Sequence, residues 1–254
     1  MARMKVTVAY DGTDFAGYQI QPSGRTVQGT IQSVLQKMHK GEAVQISASG
    51  RTDAGVHAVG QVFHFDTEMN IPSDAWGKAL NAMLPDDILI KDVEEVPDSF
   101  HSRFSAESKE YHYKLLVSKQ TDVFRRNHMF HYPYPLNIRD IQKACSCFLG
   151  THDFTSFSSA RSEVADKVRT IYALDVLEEG KTLTFKIKGS GFLYNMVRII
   201  IGTLLEVGQG KRKPDEIIAV IAGKDRALAG KTAPAHGLYL YQVNYQENYH
   251  ENHE

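Results

Sequence analysis

Apolar and polar positions alternate from the start of the chain. In MKVTVAY, Met4, Val6, Val8 and Tyr10 fall on one side and Lys5, Thr7 and Ala9 on the other, which predicts a half-buried strand. After the loop DGTDFAGYQIQPSGR the period changes, and Val27, Ile31, Val34, Leu35 and Met38 of TVQGTIQSVLQKM recur at helical spacing on one face. AVQISAS and AVGQVFHFDT return to a strand pattern on either side of a short glycine-containing stretch. SDAWGKALNAMLP then sets Trp76, Leu80, Met83 and Leu84 on one side of a helix, with Ser73 able to cap its start and Pro85 to stop it. DILIKDVEEV predicts a strand that closes this half.

The same order recurs further along. EYHYKLLVS carries Tyr111, Tyr113, Leu115 and Val117 on one strand face, and IRDIQKACSCFLG predicts a helix ended by Gly150. RTIYALDVLEEGKTLTFKIKG predicts a hairpin through a Glu-Gly-Lys turn. FLYNMVRIIIGTLLEVG gives the strongest helical stripe, through Leu193, Met196, Val197, Ile200, Ile201, Leu204 and Leu205. A short helix in KPDEIIAVIAG and a strand in GLYLYQVNY follow. Each half therefore reads β-α-β-β-α-β, the ferredoxin-like order, and the expected fold class is α+β. Two such halves can join their strands into a continuous, mostly antiparallel sheet with a central cleft, and clefts at domain junctions are where sites usually form. The expected division is residues 1–105, residues 106–246, and a polar, aperiodic tail at 247–254 that is expected to be disordered.

Composition narrows the function class. The chain has 254 residues, 42% hydrophobic and 23% charged, which suits two domains or one large one. No stretch approaches the roughly 20 apolar residues needed to span a bilayer. The N-terminus runs into a strand pattern without an apolar signal core, so no membrane association and a cytoplasmic location are expected. Cys145 and Cys147 lie two apart on a helix and point in divergent directions, so they are expected to be unpaired, buried apolar residues. A net charge of −1 speaks against a uniformly basic nucleic-acid binder but leaves room for a local basic groove.

Candidate chemistry concentrates in SASGRTDAGVHAVGQVFHF, residues 47–65. Asp53 stands between Gly50 and Gly55, where an aspartate can serve as a turn former. The same glycines let the backbone approach a ligand, Arg51 favours an ionised carboxylate, and the flanking strands would hold the loop on a rigid support. No second carboxylate accompanies it, which disfavours a paired-acid site, but one aspartate can act as nucleophile or base. Tyr111 fits a core tyrosine as well as a functional one. Arg198 flanks an apolar helix stripe and must either snorkel to solvent or pair with an anion.

Further basic residues gather in loops: Arg25, Arg103, Lys109, Arg125, Arg126, Arg161, Lys167, Arg169 and Lys211 to Lys213. Aromatics lie near them in FRRNHMFHYPYP and HDFTSF. Such mixtures suit phosphate contact with base stacking, although each cation singly fits a solvated surface charge. There is no Walker loop, no GxGxxG after a strand and no HExxH. His57 and His64 lack a partner at ligand spacing, so no metal is expected.

SGRTDAGVHAVGQVFHF, with TVQGTIQ, GTHDFTSF, KVRTIY, GFLYNMVRIIIGTLLEVG and KTAPAHGLYL in that order, closely resembles the TruA family of tRNA pseudouridine synthases. The likeness runs from about residue 4 to about residue 245. It implies isomerisation of uridine to pseudouridine at positions 38, 39 and 40 of the tRNA anticodon stem-loop, by a homodimer without cofactor or metal. Carried over, Asp53 is the essential catalytic carboxylate, Tyr111 the active-site tyrosine, Arg51 the arginine beside the catalytic loop and Arg198 the arginine of the MVR motif. Arg51, Tyr111, Arg25, Arg103, Lys109 and Arg169 are the expected substrate contacts. Asp53 could attack the anomeric carbon, attack carbon 6 of the base, or remove the ribose 2′ proton through a glycal. Tyr111 could then remove the proton from carbon 5. Arg198 could lower the tyrosine's pKa or anchor Asp53. Two rival readings are an inert RNA-binding module, which gives no reason for an anionic Asp53, and an aspartyl hydrolase, which would want an acidic metal cluster.

Overall fold

The alternation in MKVTVAY becomes β1 (Ala2–Tyr10), in a computed structural model that describes residues 1–159 and 164–246. The tail at 247–254 and Arg161 lie outside the described residues. Next come α1 (Val27–Met38), β2 (Ser47–Ala48), β3 (His57–Thr67), α2 (Ser73–Asn81) and β4 (Ile88–Val96). Thr26 caps α1 by accepting the Gly29 N–H at 3.2 Å. β1 lies antiparallel between β3 and β4, with Val6 opposite both Phe63 and Val93. Val6, Val8, Phe63, Phe65, Trp76 and Leu80 are fully buried and form this core.

Two local expectations change. AVQISAS supplies only two residues to the sheet, where Ser47 pairs with His64 and Ala48 with Phe63. Val44 and Ile46 are buried as the alternation implies, but the Val44 carbonyl is taken by the Gln32 amide at 3.0 Å instead of a neighbouring strand. Ser73 is the first residue of α2 and not its cap. Pro72 stands at the cap, and its carbonyl accepts the Ala75 N–H at 2.9 Å.

The chain continues as β5 (Ala106–Val117), β6 (Phe130–Tyr132), α3 (Ile138–Ser146), β7 (Gly150–Asp153), β8 (Val168–Glu179), β9 (Thr182–Gly189), α4 (Met196–Gly208) and α5 (Glu216–Gly223). β5, β9, β8 and β7 pair antiparallel in that order, and β6 adds to β5 in parallel. In the β8–β9 turn Glu179 faces Thr182, and Gly180 takes the left-handed conformation (φ 61°) that the turn requires. The last strand, β10 (Leu238–Tyr245), pairs in parallel with β3, Tyr239 opposite His57 and Leu240 opposite Ala58. Two compact units result, Met1–Glu107 with residues 239–246, and Ser108–Leu238. The class is α+β. The first half follows β-α-β-β-α-β; the later elements add two short strands and an extra helix to that order.

α4 is buried on more than its predicted stripe, for Ile199 and Thr203 are also fully enclosed. The segment 230–234 covers that second side so closely that a methyl group on Gly202 would stand 1.7 Å from the Lys231 carbonyl oxygen. Cys145 is buried, and burial pushes its thiol up to about 12. Cys147 is only partly enclosed, its Sγ lying 3.6 Å from the Pro214 carbonyl, which corrects the expectation for that residue. Among the described residues no helix is long and apolar enough to cross a membrane.

Candidate active site

The loop carrying Asp53 leaves the sheet at β2 and rejoins it at β3. Its entry is fastened by Gln61, a fully buried amide on β3. Its Oε1 accepts the Ser49 hydroxyl at 2.6 Å and the Val62 N–H at 3.0 Å, while its Nε2 donates to the Gly50 carbonyl at 3.0 Å. The Ser49 N–H reaches the Val62 carbonyl at 2.7 Å. The Thr52 carbonyl accepts the Tyr18 N–H at 3.0 Å, and the Thr52 and Tyr10 hydroxyls lie 2.7 Å apart. Gly55 at φ 75° then closes a turn in which the Val56 N–H reaches the Asp53 carbonyl at 3.1 Å. Gly12 packs against this turn, and a methyl group there would meet the Val56 carbonyl oxygen at 2.0 Å. Next along β3, the buried His57 stacks on Tyr239 at 4.7 Å, and its Nδ1 accepts the Gly12 N–H at 3.0 Å.

Burial alternates along this loop: Arg51 is exposed, Thr52 buried and Asp53 half-buried. The loop thus holds one carboxylate on a backbone tied down at Ser49, Gly50, Thr52, Asp53 and Val56, with a solvent-facing cation two positions away. Such an arrangement can position a nucleophile or base against a ligand. Of the other predicted contacts in this unit, Arg25 grips Asp87 with both terminal nitrogens at 2.5 and 2.8 Å and lies over the Phe15 ring at 4.2 Å. Arg103 is exposed, with its guanidinium 5.7 Å from the ring of Phe104, which is itself 77% exposed. His57 has no carboxylate at ligand spacing in the sequence, yet the fold brings Asp11 Oδ1 to 3.1 Å from its Nδ1, across 46 residues.

In the second unit one loop organises the remaining predicted residues. Lys109 pairs with Gly189 and Tyr111 with Ile187, which puts both at the end of β9 where Ser190 to Asn195 begin. Tyr111 is buried and meets Phe192 edge to face at 5.1 Å. Ser190 pins the loop to β8, its N–H reaching the Thr170 carbonyl at 2.9 Å and its hydroxyl accepting the Thr170 N–H at 3.1 Å. Arg169 lies beside Gly191 and donates to the Val168 carbonyl at 2.6 Å. Asn195 ends the loop in a left-handed conformation (φ 63°), and its Oδ1 accepts from Arg198 Nη1 at 2.9 Å.

Arg198 is half-buried, and its Nε also donates to the Ala233 carbonyl at 2.7 Å. It is therefore anchored and does not simply snorkel. The Tyr113 hydroxyl donates to the Pro234 carbonyl at 2.8 Å, which fixes the same KTAP segment to the strand carrying Tyr111. Asp53, Arg51, Arg25 and Arg103 thus belong to the first unit, and Lys109, Tyr111, Arg169 and Arg198 to the second. The supporting residues Tyr10, Gln61, Phe192 and Asn195 were not singled out in the sequence. The first two sit in ordinary strand alternation and carry no local signal. The last two lie inside the quoted GFLYN motif.

The family model described as tRNA pseudouridine synthase matches residues 6–105 and 144–246. A protein named tRNA pseudouridine synthase A 1 from Bacillus cereus is 59% identical over 245 residues, which cover 96% of this chain and 99% of that protein. The tRNA pseudouridine synthase A of Geobacillus sp. (strain WCH70) is 59% identical over 243 residues, covering 96% of this chain and 98% of its own.

Proposed function

The chain belongs to the TruA family of tRNA pseudouridine synthases, enzymes that isomerise uridine in tRNA, and we propose that it acts through Asp53 on the anticodon stem-loop at positions 38, 39 and 40. The observation that carries this reading is the Asp53 loop itself. It presents a half-buried carboxylate on a loop whose backbone is tied to β3 and to Tyr18 and whose Thr52 side chain is tied to β1. An inert RNA-binding surface has no use for a rigid anion facing a polyanion.

The reaction breaks the N1–C1′ bond of uridine, turns the uracil, and joins carbon 5 to C1′. Carbon 5 gives up its proton and N1 gains one, so atoms balance without oxidation, hydrolysis or a co-reactant. Asp53 supplies the ionised group that initiates the exchange, at the sugar, at carbon 6 or at the 2′ proton. The Tyr111 hydroxyl takes the carbon 5 proton as it passes its own to water, and Arg198 supplies the cation of the MVR motif. A base in a stem must first leave the helix, at a cost of a few kcal/mol. Arg51, exposed and two residues from Asp53, is suited to occupy the vacated place or hold a phosphate. Arg103, Lys109 and Arg169 supply further phosphate contacts, as does Arg25, whose charge is partly spent on Asp87. We further propose a cytoplasmic location and a homodimer, the latter tested by light scattering of the purified protein.

Asp53→Asn keeps the shape of the side chain and removes its charge. It is expected to bind unmodified tRNA with wild-type affinity and to release no tritium from [5-³H]uridine-labelled substrate. Turnover by this variant would remove Asp53 from the reaction. Labelled transcripts with single uridines at 38, 39 or 40 test the choice of position.

A further inference from the structure

We propose that Tyr10 and Thr52 are positioning residues, whose buried hydroxyl pair holds Asp53 in register for the isomerisation. This inference rests on the catalytic reading of Asp53 and adds the residues that make its position definite. Tyr10 is the last residue of β1 and Thr52 precedes Asp53, yet 42 positions of sequence separate them. Their oxygens lie 2.7 Å apart, with Tyr10 4% and Thr52 7% exposed.

Two features show that more than packing is involved. First, a threonine in a glycine-flanked loop has every opportunity to face water, and a buried hydroxyl is costly unless it finds a partner. The loop instead turns Thr52 inward between an exposed Arg51 and a half-buried Asp53, so fixing its side chain fixes the direction of its neighbour. Second, the Thr52 backbone is held separately, through the Tyr18 N–H on its carbonyl. The hydroxyl pair therefore adds a second constraint at the same residue, which a loop needing only to close would not require.

Burial raises the Tyr10 phenol well above its usual range, so it stays protonated and keeps a hydrogen for the pair throughout the working pH range. Gln61, which holds Ser49 and Gly50, also neighbours that phenol. The pair is thus continuous with the fastening of the loop's entry. A displacement of the order of 1 Å at a reacting group can cost about 100-fold in rate.

The test measures kcat and KM for tRNA in Tyr10→Phe, Thr52→Val, the double variant of these two and Thr52→Ser, with Asp53→Asn alongside. Tyr10→Phe and Thr52→Val are expected to lower kcat by roughly 10- to 100-fold while KM stays within about twofold, the signature of a group used in the transition state and not in binding. Thr52→Ser keeps the oxygen and is expected to recover kcat to within about threefold of wild type. The double variant should be no slower than the worse single one, because both substitutions break one interaction. Wild-type kcat in Tyr10→Phe and Thr52→Val, or equal losses in Thr52→Val and Thr52→Ser, overturns the positioning role. So does a rise in KM alone, or failure of both Tyr10→Phe and Thr52→Val to fold; if only one folds, its kcat decides. Turnover by Asp53→Asn instead overturns the reading of Asp53, whatever the other variants do.

Discussion

Arg198 and Ala233 bond to each other twice: the Arg198 Nε donates to the Ala233 carbonyl at 2.7 Å, and the Ala233 N–H donates back to the Arg198 carbonyl at 3.0 Å. One residue of α4 is thereby clamped by backbone and side chain to the KTAP segment, while its Nη1 reaches Asn195. The guanidinium is oriented before any substrate arrives.

Arg198→Lys keeps the charge and loses the fork. A single ammonium cannot serve Ala233 and Asn195 with the same geometry, so about 1.5–3 kcal/mol of stability is expected to go with the charge-assisted bonds. Pseudouridine formation should fall with it. Urea unfolding and a tritium-release assay check both, and a lysine variant equal to wild type in each would contradict the clamp.

Gly202→Ala should be destabilising even though alanine is the better helix former. Its methyl group would stand 1.7 Å from the Lys231 carbonyl oxygen, and such overpacking typically costs about 1–3 kcal/mol. Gly77 in α2 is the control, since nothing lies within 4 Å of the added carbon. There alanine should stabilise by roughly 0.5–1 kcal/mol. Opposite shifts in melting temperature for the two variants are the expected result.

His64 makes stability depend on pH. Its Nδ1 accepts the Ser102 N–H at 3.2 Å, and burial, followed by the charges of Arg3 and His101, lowers its pKa to about 4. The unfolded chain binds this proton near pH 6.5 and the folded one only near 4, so stability is complete above 6.5 and falls as pH drops through that window. The loss approaches about 1.4 kcal/mol per pH unit from this group. Denaturation at pH 4.5, 5.5 and 7 should show a shallower dependence in His64→Gln than in wild type. Identical slopes would remove His64 as the cause.

Arg25 and Arg103 should separate stability from RNA contact. Arg25→Ala breaks the paired contact with Asp87 and the stacking on Phe15, so a loss of roughly 1 kcal/mol in stability is expected. Arg103→Ala removes a contact with an exposed aromatic neighbour, Phe104, and should leave stability within about 0.5 kcal/mol. Its effect should appear in tRNA binding, as a salt slope smaller by about 1. Anisotropy titrations across a salt series measure the second quantity.

Period and punctuation in the sequence locate every long strand and helix, because one face of each is buried. What they miss follows from partners distant along the chain. AVQISAS alternates like a strand, yet the Gln32 side chain, 12 residues upstream, takes the Val44 carbonyl and relieves it of the ladder. The stripe on α4 predicts one buried face, whereas the segment 230–234 buries a second against Gly202, and no helical pattern encodes that cover. The GRTDAG stretch announces its own chemistry through the glycines and the acid. Tyr10, which supports it from another strand, is indistinguishable in sequence from any inward-facing strand tyrosine.

The parallel pairing of β10 with β3 has a temporal meaning. β3 follows directly on the Asp53 loop, and its His57 packs on Tyr239 while Gly60 lies against the Tyr241 carbonyl. Tyr245 reaches back to the Ser102 carbonyl at 2.7 Å. On a ribosome, the first hundred residues emerge long before these partners are made, and the unit they begin must wait until all of Ser108–Leu238 has been made before it can be completed. A chain broken off early would carry the aspartate without the strand that finishes its foundation.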